Sequence, residues 1–122
     1  MKVIIAGSRD IEDWAVVADA IRKSGFEFTE VVSGGARGVD HVGEALARLH
    51  HMPVKVFPAD WKKFGRAAGP YRNTEMAKYA DALVAVWDGK SPGTRHMINQ
   101  MKSLNKPVYV HIHERNENEE AL

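Results

Sequence analysis

Five short apolar runs punctuate this chain, and the stretches between them carry apolar side chains at helical spacing. The first run, residues 2–7 (KVIIAG), is nearly unbroken, as a strand covered on both faces requires. The other four are residues 29–33 (TEVVS), 52–59 (MPVKVFPA), 81–87 (DALVAVW) and 106–112 (KPVYVHI). Residues 11–25 predict a helix that closes on Lys23 and Gly25, a basic last turn followed by a glycine stop. Residues 39–51 predict a second helix with Val39, Val42, Leu46 and Leu49 along one face. A long loop at 60–70 leads to a short helix over 71–80. A second loop at 88–94 leads to a helix over 95–105.

Strict alternation of strand and helix implies a parallel sheet with helices on both faces. The expected fold class is therefore α/β: a Rossmann-like three-layer α/β/α sandwich on a five-stranded parallel sheet. Right-handed crossovers leave few topologies, and the order 3-2-1-4-5 fits best. Its switch point lies between the first and fourth strands, and ligands bind such sheets there, at the carboxyl ends of the strands.

The chain has 122 residues, 44% hydrophobic and 27% charged, which suits one soluble globular domain, expected over residues 1–112. The remaining residues, 113–122 (HERNENEEAL), are acidic and aperiodic, and are expected to be disordered. Glu114, Glu117, Glu119 and Glu120 against Arg115 give this tail −3; subtracting that from the chain's +1 leaves the body at +4. Such a body suits a small anionic ligand better than a long nucleic-acid track. No cysteine is present, so disulfides and thiolate metal sites are excluded. The N-terminal apolar run, Val3 to Ala6, is too short for a secretory leader, and no stretch reaches the ~20 apolar residues of a membrane span. A cytoplasmic protein without membrane contact is the expectation.

Each strand-to-helix loop brings an arginine to the same sheet edge: Arg9, Arg37, Arg66 with Arg72 just after it, and Arg95. Each also brings an aspartate: Asp10, Asp40, Asp60 and Asp88. Guanidinium forks match phosphate and carboxylate, aspartates accept from ribose hydroxyls, and helix N-termini add N–H groups and a positive dipole end. The set points to a phosphorylated sugar or nucleotide. Taken singly, the same residues have plainer readings. Asp10, Asp40 and Thr94 fit helix N-caps, Gly7, Gly34 and Gly38 fit tight turns, and an arginine and aspartate in one loop fit a solvated pair. Trp61, in the long loop, is the candidate for stacking on a base, whereas Trp14 and Trp87 read as core. His41 and His96 lie near the loops. His50, His51, His111 and His113 show no metal-ligand spacing, and neither metal nor cofactor is expected.

Residues 31–40, VVSGGARGVD, are neither a P-loop nor a G-x-G-x-x-G turn. They resemble the SGxARGID loop of the DNA-processing protein DprA. RNTEMAKYADALVAVWDGKSPGT resembles the RK…M…ADAxIxLPGGxGTxxE block of the LOG phosphoribohydrolases, which release cytokinin bases from nucleotide monophosphates. Both belong to the SLOG superfamily. GSR at the start, PADW…G…AG…RN and WDG.S.GT..MI look most like its small YspA-related branch of bacteria and phages.

The resemblance spans Val3 to Val110. It implies a nucleotide-phosphate pocket walled by Ser33, Gly34, Gly35 and Gly38 on one side and by Ser91, Gly93 and Thr94 on the other. Gly7, Ser8, Arg9, Arg37, Asp40, Trp61, Arg72, Asn73 and Asp88 complete the expected ligand-binding set. Arg72 matches the arginine of the LOG pair, while Asn73 replaces its lysine. The LOG glutamate three positions after GT is Met97 here, which can neither take a proton nor stabilise an oxocarbenium ion. The expectation is thus binding or sensing of a nucleoside monophosphate or an ADP-ribose-like molecule. The alternatives are N-glycosidic hydrolysis, with Arg72, Glu75 and Glu44 as candidate catalytic residues and Glu75, Glu44 or Asp88 as the substitute carboxylate, and DprA-like binding of single-stranded nucleic acid, which the mild charge disfavours. A homo-oligomer, dimer or larger, is implied by the resemblance alone.

Overall fold

A computed structural model describes residues 1–113. The strands are β1 (Lys2–Gly7), β2 (Glu30–Ser33), β3 (Val54–Val56), β4 (Ala82–Trp87) and β5 (Val108–Ile112). The helices are α1 (Trp14–Ser24), α2 (Val39–Leu49), α3 (Trp61–Phe64), α4 (Ala68–Tyr79) and α5 (Pro92–Ser103). All neighbouring strands pair in parallel, in the order β3-β2-β1-β4-β5. The protein has the expected Rossmann-like α/β fold. The acidic tail reading concerns residues 113–122, which apart from His113 lie outside the described residues.

The pleat of β1 divides the core in two. Val3 and Ile5 face Val17, Ala20, Val39, Val42 and Ala47, so α1 and α2 cover one face. Ile4 and Ala6 face Met76, Ala77, Met97, Ile98 and Met101, so α4 and α5 cover the other. Alternate residues of a strand point to opposite faces, and double coverage buries both sets through the middle of β1, Val3 to Ala6. Each fully buried aliphatic side chain contributes about 1.5–3 kcal/mol.

Several element ends differ from the sequence-based expectation, each for a local reason. Helix α1 starts at Trp14 rather than Ile11, because Asp13 caps it, accepting from the Ala15 and Val16 N–H groups at 3.0 and 3.2 Å. Strand β3 is shorter than 52–59, and Pro53 and Pro58 flank it; proline cannot donate to a ladder. The long loop is partly helical. Asp60 caps α3 through the Lys63 N–H at 3.1 Å, the turn Gly65–Ala67 follows, and α4 begins at Ala68 instead of Tyr71. Pro70 does not block that start, since first-turn N–H groups have no helical partner to lose. Likewise α5 takes in Pro92, Gly93 and Thr94 as its first turn. Trp14 and Leu49 are exposed rather than core, at 47% and 65%.

Candidate functional site

The ends of β1, β2 and β4 open onto two adjoining cavities. The first, about 370 Å³, lies between the switch-point strands; its lining includes Asp40, Asn73, Met97 and the Ser91–Thr94 turn. The second, about 630 Å³, lies over β2 and β3 and includes Gly34, Gly35, Val56, Pro58 and Trp61. Arg9, Ala36, Arg37 and Arg72 line both. The shared boundary is therefore cationic, while the second chamber adds apolar walls and a half-exposed indole, Trp61 at 52%.

Glycines let these walls approach. A Cβ on Gly7 would lie 1.9 Å from the Val86 carbonyl oxygen and 2.7 Å from Val39 Cγ2, so a side chain there would wedge β1 from β4 and α2. Gly38 has φ 78°, in the left-handed region that suits glycine, and a Cβ there would sit 2.4 Å from the Arg9 carbonyl oxygen. The β1–α1 and β2–α2 turns are thus pressed together.

Helix α4 supplies Arg72. Its Nη1 donates to the Gly34 carbonyl at 2.5 Å and its Nε to Asn73 Oδ1 at 3.1 Å. Asn73 Nδ2 donates to the Gly93 carbonyl at 3.3 Å and meets His96 Nδ1 at 3.2 Å. One chain of contacts thus runs from the β2–α2 turn through α4 to the start of α5. Burial pushes the Arg72 guanidinium down from its usual value, and Asp40 works the other way.

Asp40 stands in the first turn of α2, nine-tenths buried, and lines the first cavity. It caps nothing in its own helix. Its Oδ2 accepts from the Ala36 N–H at 3.3 Å. Burial pushes its carboxyl up to about 6 and Glu44 reinforces that; the Ala36 N–H, Arg72 and the Gly7 N–H oppose it.

Other expected site residues stand behind the walls. Ser33 Oγ donates to Glu44 Oε2 at 2.7 Å and accepts from the Gly35 N–H at 3.1 Å, which holds the glycine turn in shape. Glu44 is thereby occupied away from the cavity. Ser8 Oγ accepts from the Asp88 N–H at 3.0 Å, and Asp88 accepts from the Lys90 and Ser91 N–H groups at 2.8 Å each. This latch ties the β4–α5 turn to β1.

Glu75 is exposed and lines neither cavity, because Arg72, Asn73 and Met76 occupy the face of α4 that does. Arg66 and Arg95 also fall outside. Arg66 is exposed on the turn before α4, and Arg95 lies over the Trp87 ring and reaches the Gly89 carbonyl. The five converging arginines become three. His41 faces a separate shallow cavity with Trp14 and Glu12. Asp40, expected among the ligand-binding residues, lines the first cavity together with Asp10, whereas Glu44, Glu75 and Asp88 do not. The GVD ending at the helix start carried that signal, but it also fits an N-cap.

Over residues 1–64 the sequence matches the YspA, cpYpsA-related SLOG family. The chain belongs to that family. The matched span runs from β1 to the end of α3 and carries Gly7, Arg9, the glycine turn, Arg37, Asp40 and Trp61. Arg72, Asn73 and the Ser91–Thr94 turn lie beyond it. No curated protein sequence and no solved structure matches the chain.

Proposed function

We propose that this SLOG protein binds or senses a phosphate-bearing nucleotide derivative, a nucleoside monophosphate or an ADP-ribose-like molecule, at the carboxyl edge of the sheet. The observation that carries this reading is the convergence of Arg9, Arg37 and Arg72 from three elements on the boundary between two cavities. Guanidinium forks bind phosphate in pairs, and the first turn of α5 adds N–H donors and a positive dipole end on the opposite wall. The second cavity offers a base the Trp61 ring and the apolar Val56 and Pro58. Both volumes fall within the range of about 300–1,000 Å³ usual for small-molecule sites.

Binding without cleavage fits the lining best. At the position of the LOG glutamate, Met97 faces the first cavity with a thioether, and Glu75, Glu44 and Asp88 are exposed or held elsewhere. Negligible release of free base from AMP is expected when product is followed by chromatography at high protein concentration.

Calorimetric titration with AMP and ADP-ribose tests the anion site. Arg72→Ala and Arg37→Ala should each weaken binding by about 1.5–3 kcal/mol, the worth of a charged hydrogen bond, which is roughly 10- to 150-fold. Unchanged affinity in both variants would move the site elsewhere.

A further inference from the structure

The first cavity holds a buried carboxylate that the phosphate reading does not use. None of the ion pairs among the described residues includes Asp40. A buried carboxylate without an ion pair is costly, and a cost carried at the lining of a binding cavity points to function. Its two oxygens have about four acceptor sites, and the Ala36 N–H takes one of those on Oδ2.

Apart from the buried Thr94 hydroxyl, the other polar side chains of the cavity are spoken for or of the wrong sign. Asn73 is bonded to Arg72, Gly93 and His96. The Ser91 hydroxyl is bonded to Asp88 and Ser8. Arg9, Arg37 and Arg72 only donate, and Asp10 is exposed. Asp40 is the buried carboxylate of this cavity with acceptor capacity to spare. It sits close to the phosphate-binding group: a Cβ on Gly34 would lie 2.8 Å from Arg72 Nη1 and 3.0 Å from Asp40 Oδ2. A ligand with an anion on Arg72 and hydroxyl donors a few atoms away would satisfy both.

We propose that Asp40 reads the sugar hydroxyls of the ligand and makes the site select ribose over deoxyribose. This rests on the nucleotide reading above and adds the sugar to it. Asp40 accepts two hydroxyl hydrogens in its ionised form, and a sugar that lacks one leaves the buried carboxylate short of a partner. The charged groups around it are Arg9 and Asp10 from the β1–α1 turn, Arg37 from the β2–α2 turn, Glu44 from α2 and Arg72 from α4. From α5, His96 is taken up by Asn73. The preference should therefore grow as pH rises through the Asp40 titration, near 6.

Ribose 5-phosphate, 2-deoxyribose 5-phosphate and inorganic phosphate, titrated against the whole protein, test this without any assumption about the base. The wild type should bind the ribose compound about tenfold or more tightly than the deoxyribose one at pH 7.5, and less selectively at pH 5. The ratio of the two cancels the titration of the phosphate itself. In Asp40→Asn and Asp40→Ala, both checked for cooperative unfolding and native circular dichroism, the preference should fall to about twofold or less. Equal binding of the two sugars by the wild type overturns the proposal and leaves the nucleotide reading standing. So does a preference that survives both substitutions, or phosphate binding that neither sugar improves. Failure of all three probes to bind removes the anion site, and this inference with it.

Discussion

Two aspartates at the same sheet edge show how differently one residue type can be used. Asp88, in the β4–α5 turn, has three donors within 2.9 Å: the Lys90 N–H, the Ser91 N–H and the Ser91 hydroxyl. Slight burial pushes its carboxyl up, but the Ser91 and Lys90 N–H groups and the Ser91 and Ser8 hydroxyls outweigh that and hold it at about 2. Asp40, in the first turn of α2, is more deeply buried, has fewer donors and is pushed up to about 6. Asp88 is a latch whose hydrogen bonds are complete. Asp40 brings a buried charge with no ion pair among the described residues to the lining of a cavity, which costs stability and leaves acceptor sites free. Depth of burial and number of donors, rather than mere position in a loop, separate the two.

The harshest way to break this comparison is to part the two turns. Gly7 lies between them, against the Val86 carbonyl of β4 and Val39 of α2. A methyl at 1.9 Å from backbone oxygen cannot be absorbed by a side-chain rotation. Gly7→Ala should cost about 3 kcal/mol or more and abolish nucleotide binding. Urea unfolding followed by circular dichroism checks it, and near-native stability would mean that the close approach at the switch point is relaxed in solution.

The next test acts on Asp40 alone. Its folded value, about 6, lies above the ordinary aspartate value of 3.8. Between those limits the unfolded chain gives up the proton while the folded protein keeps it, so stability falls as pH rises from about 4 to 6 and then levels. A tenfold change in proton affinity corresponds to about 1.4 kcal/mol, and Asn retains one acceptor for Ala36. Without ligand, Asp40→Asn should be more stable than wild type by about 2 kcal/mol at pH 7.5 and no different near pH 3.5. Equal stability at both pH values would show that the Asp40 charge is already compensated. A gain in stability with a loss of ribose selectivity would mark Asp40 as a residue kept for function.

The fold was legible because double burial leaves unbroken apolar strands, and KVIIAG and ALVAVW can hardly be read otherwise. Element ends were less so, since caps compete: Asp10 and Asp13 look alike in sequence, and only the backbone path selects Asp13. At the site, Arg9, Arg37 and Arg72 were legible from topology, because strand-to-helix loops share one edge. That Arg66 and Arg95 would turn away was not. It depends on the helical turns at Trp61–Phe64 and Pro92–Thr94, built over stretches whose Gly and Pro read as loop. Glu75 failed for a related reason. Three residues along a helix from Arg72 is close in angle, yet the cavity sees the neighbouring stripe of Asn73 and Met76.

The mildest test acts on Asp88, and its sign is opposite. The folded value, about 2, lies below the ordinary 3.8, so the latch contributes stability above about pH 4 and loses it as pH falls toward 2. Asp88 is only half-buried, and solvent screening reduces what its lowered value is worth. Asp88→Asn should therefore cost about 1 kcal/mol at pH 7.5 and only about a third of that at pH 2.5. The two aspartates act in adjoining windows, Asp88 between about 2 and 4 and Asp40 between about 4 and 6, with slopes of opposite sign. Subtracting each variant's stability curve from that of the wild type isolates its window from every other carboxylate. Since Asp88 touches the first cavity only through Ser91, its loss should weaken AMP binding by threefold at most. A larger loss at unchanged stability would make Asp88 a ligand contact and erase the distinction between latch and site.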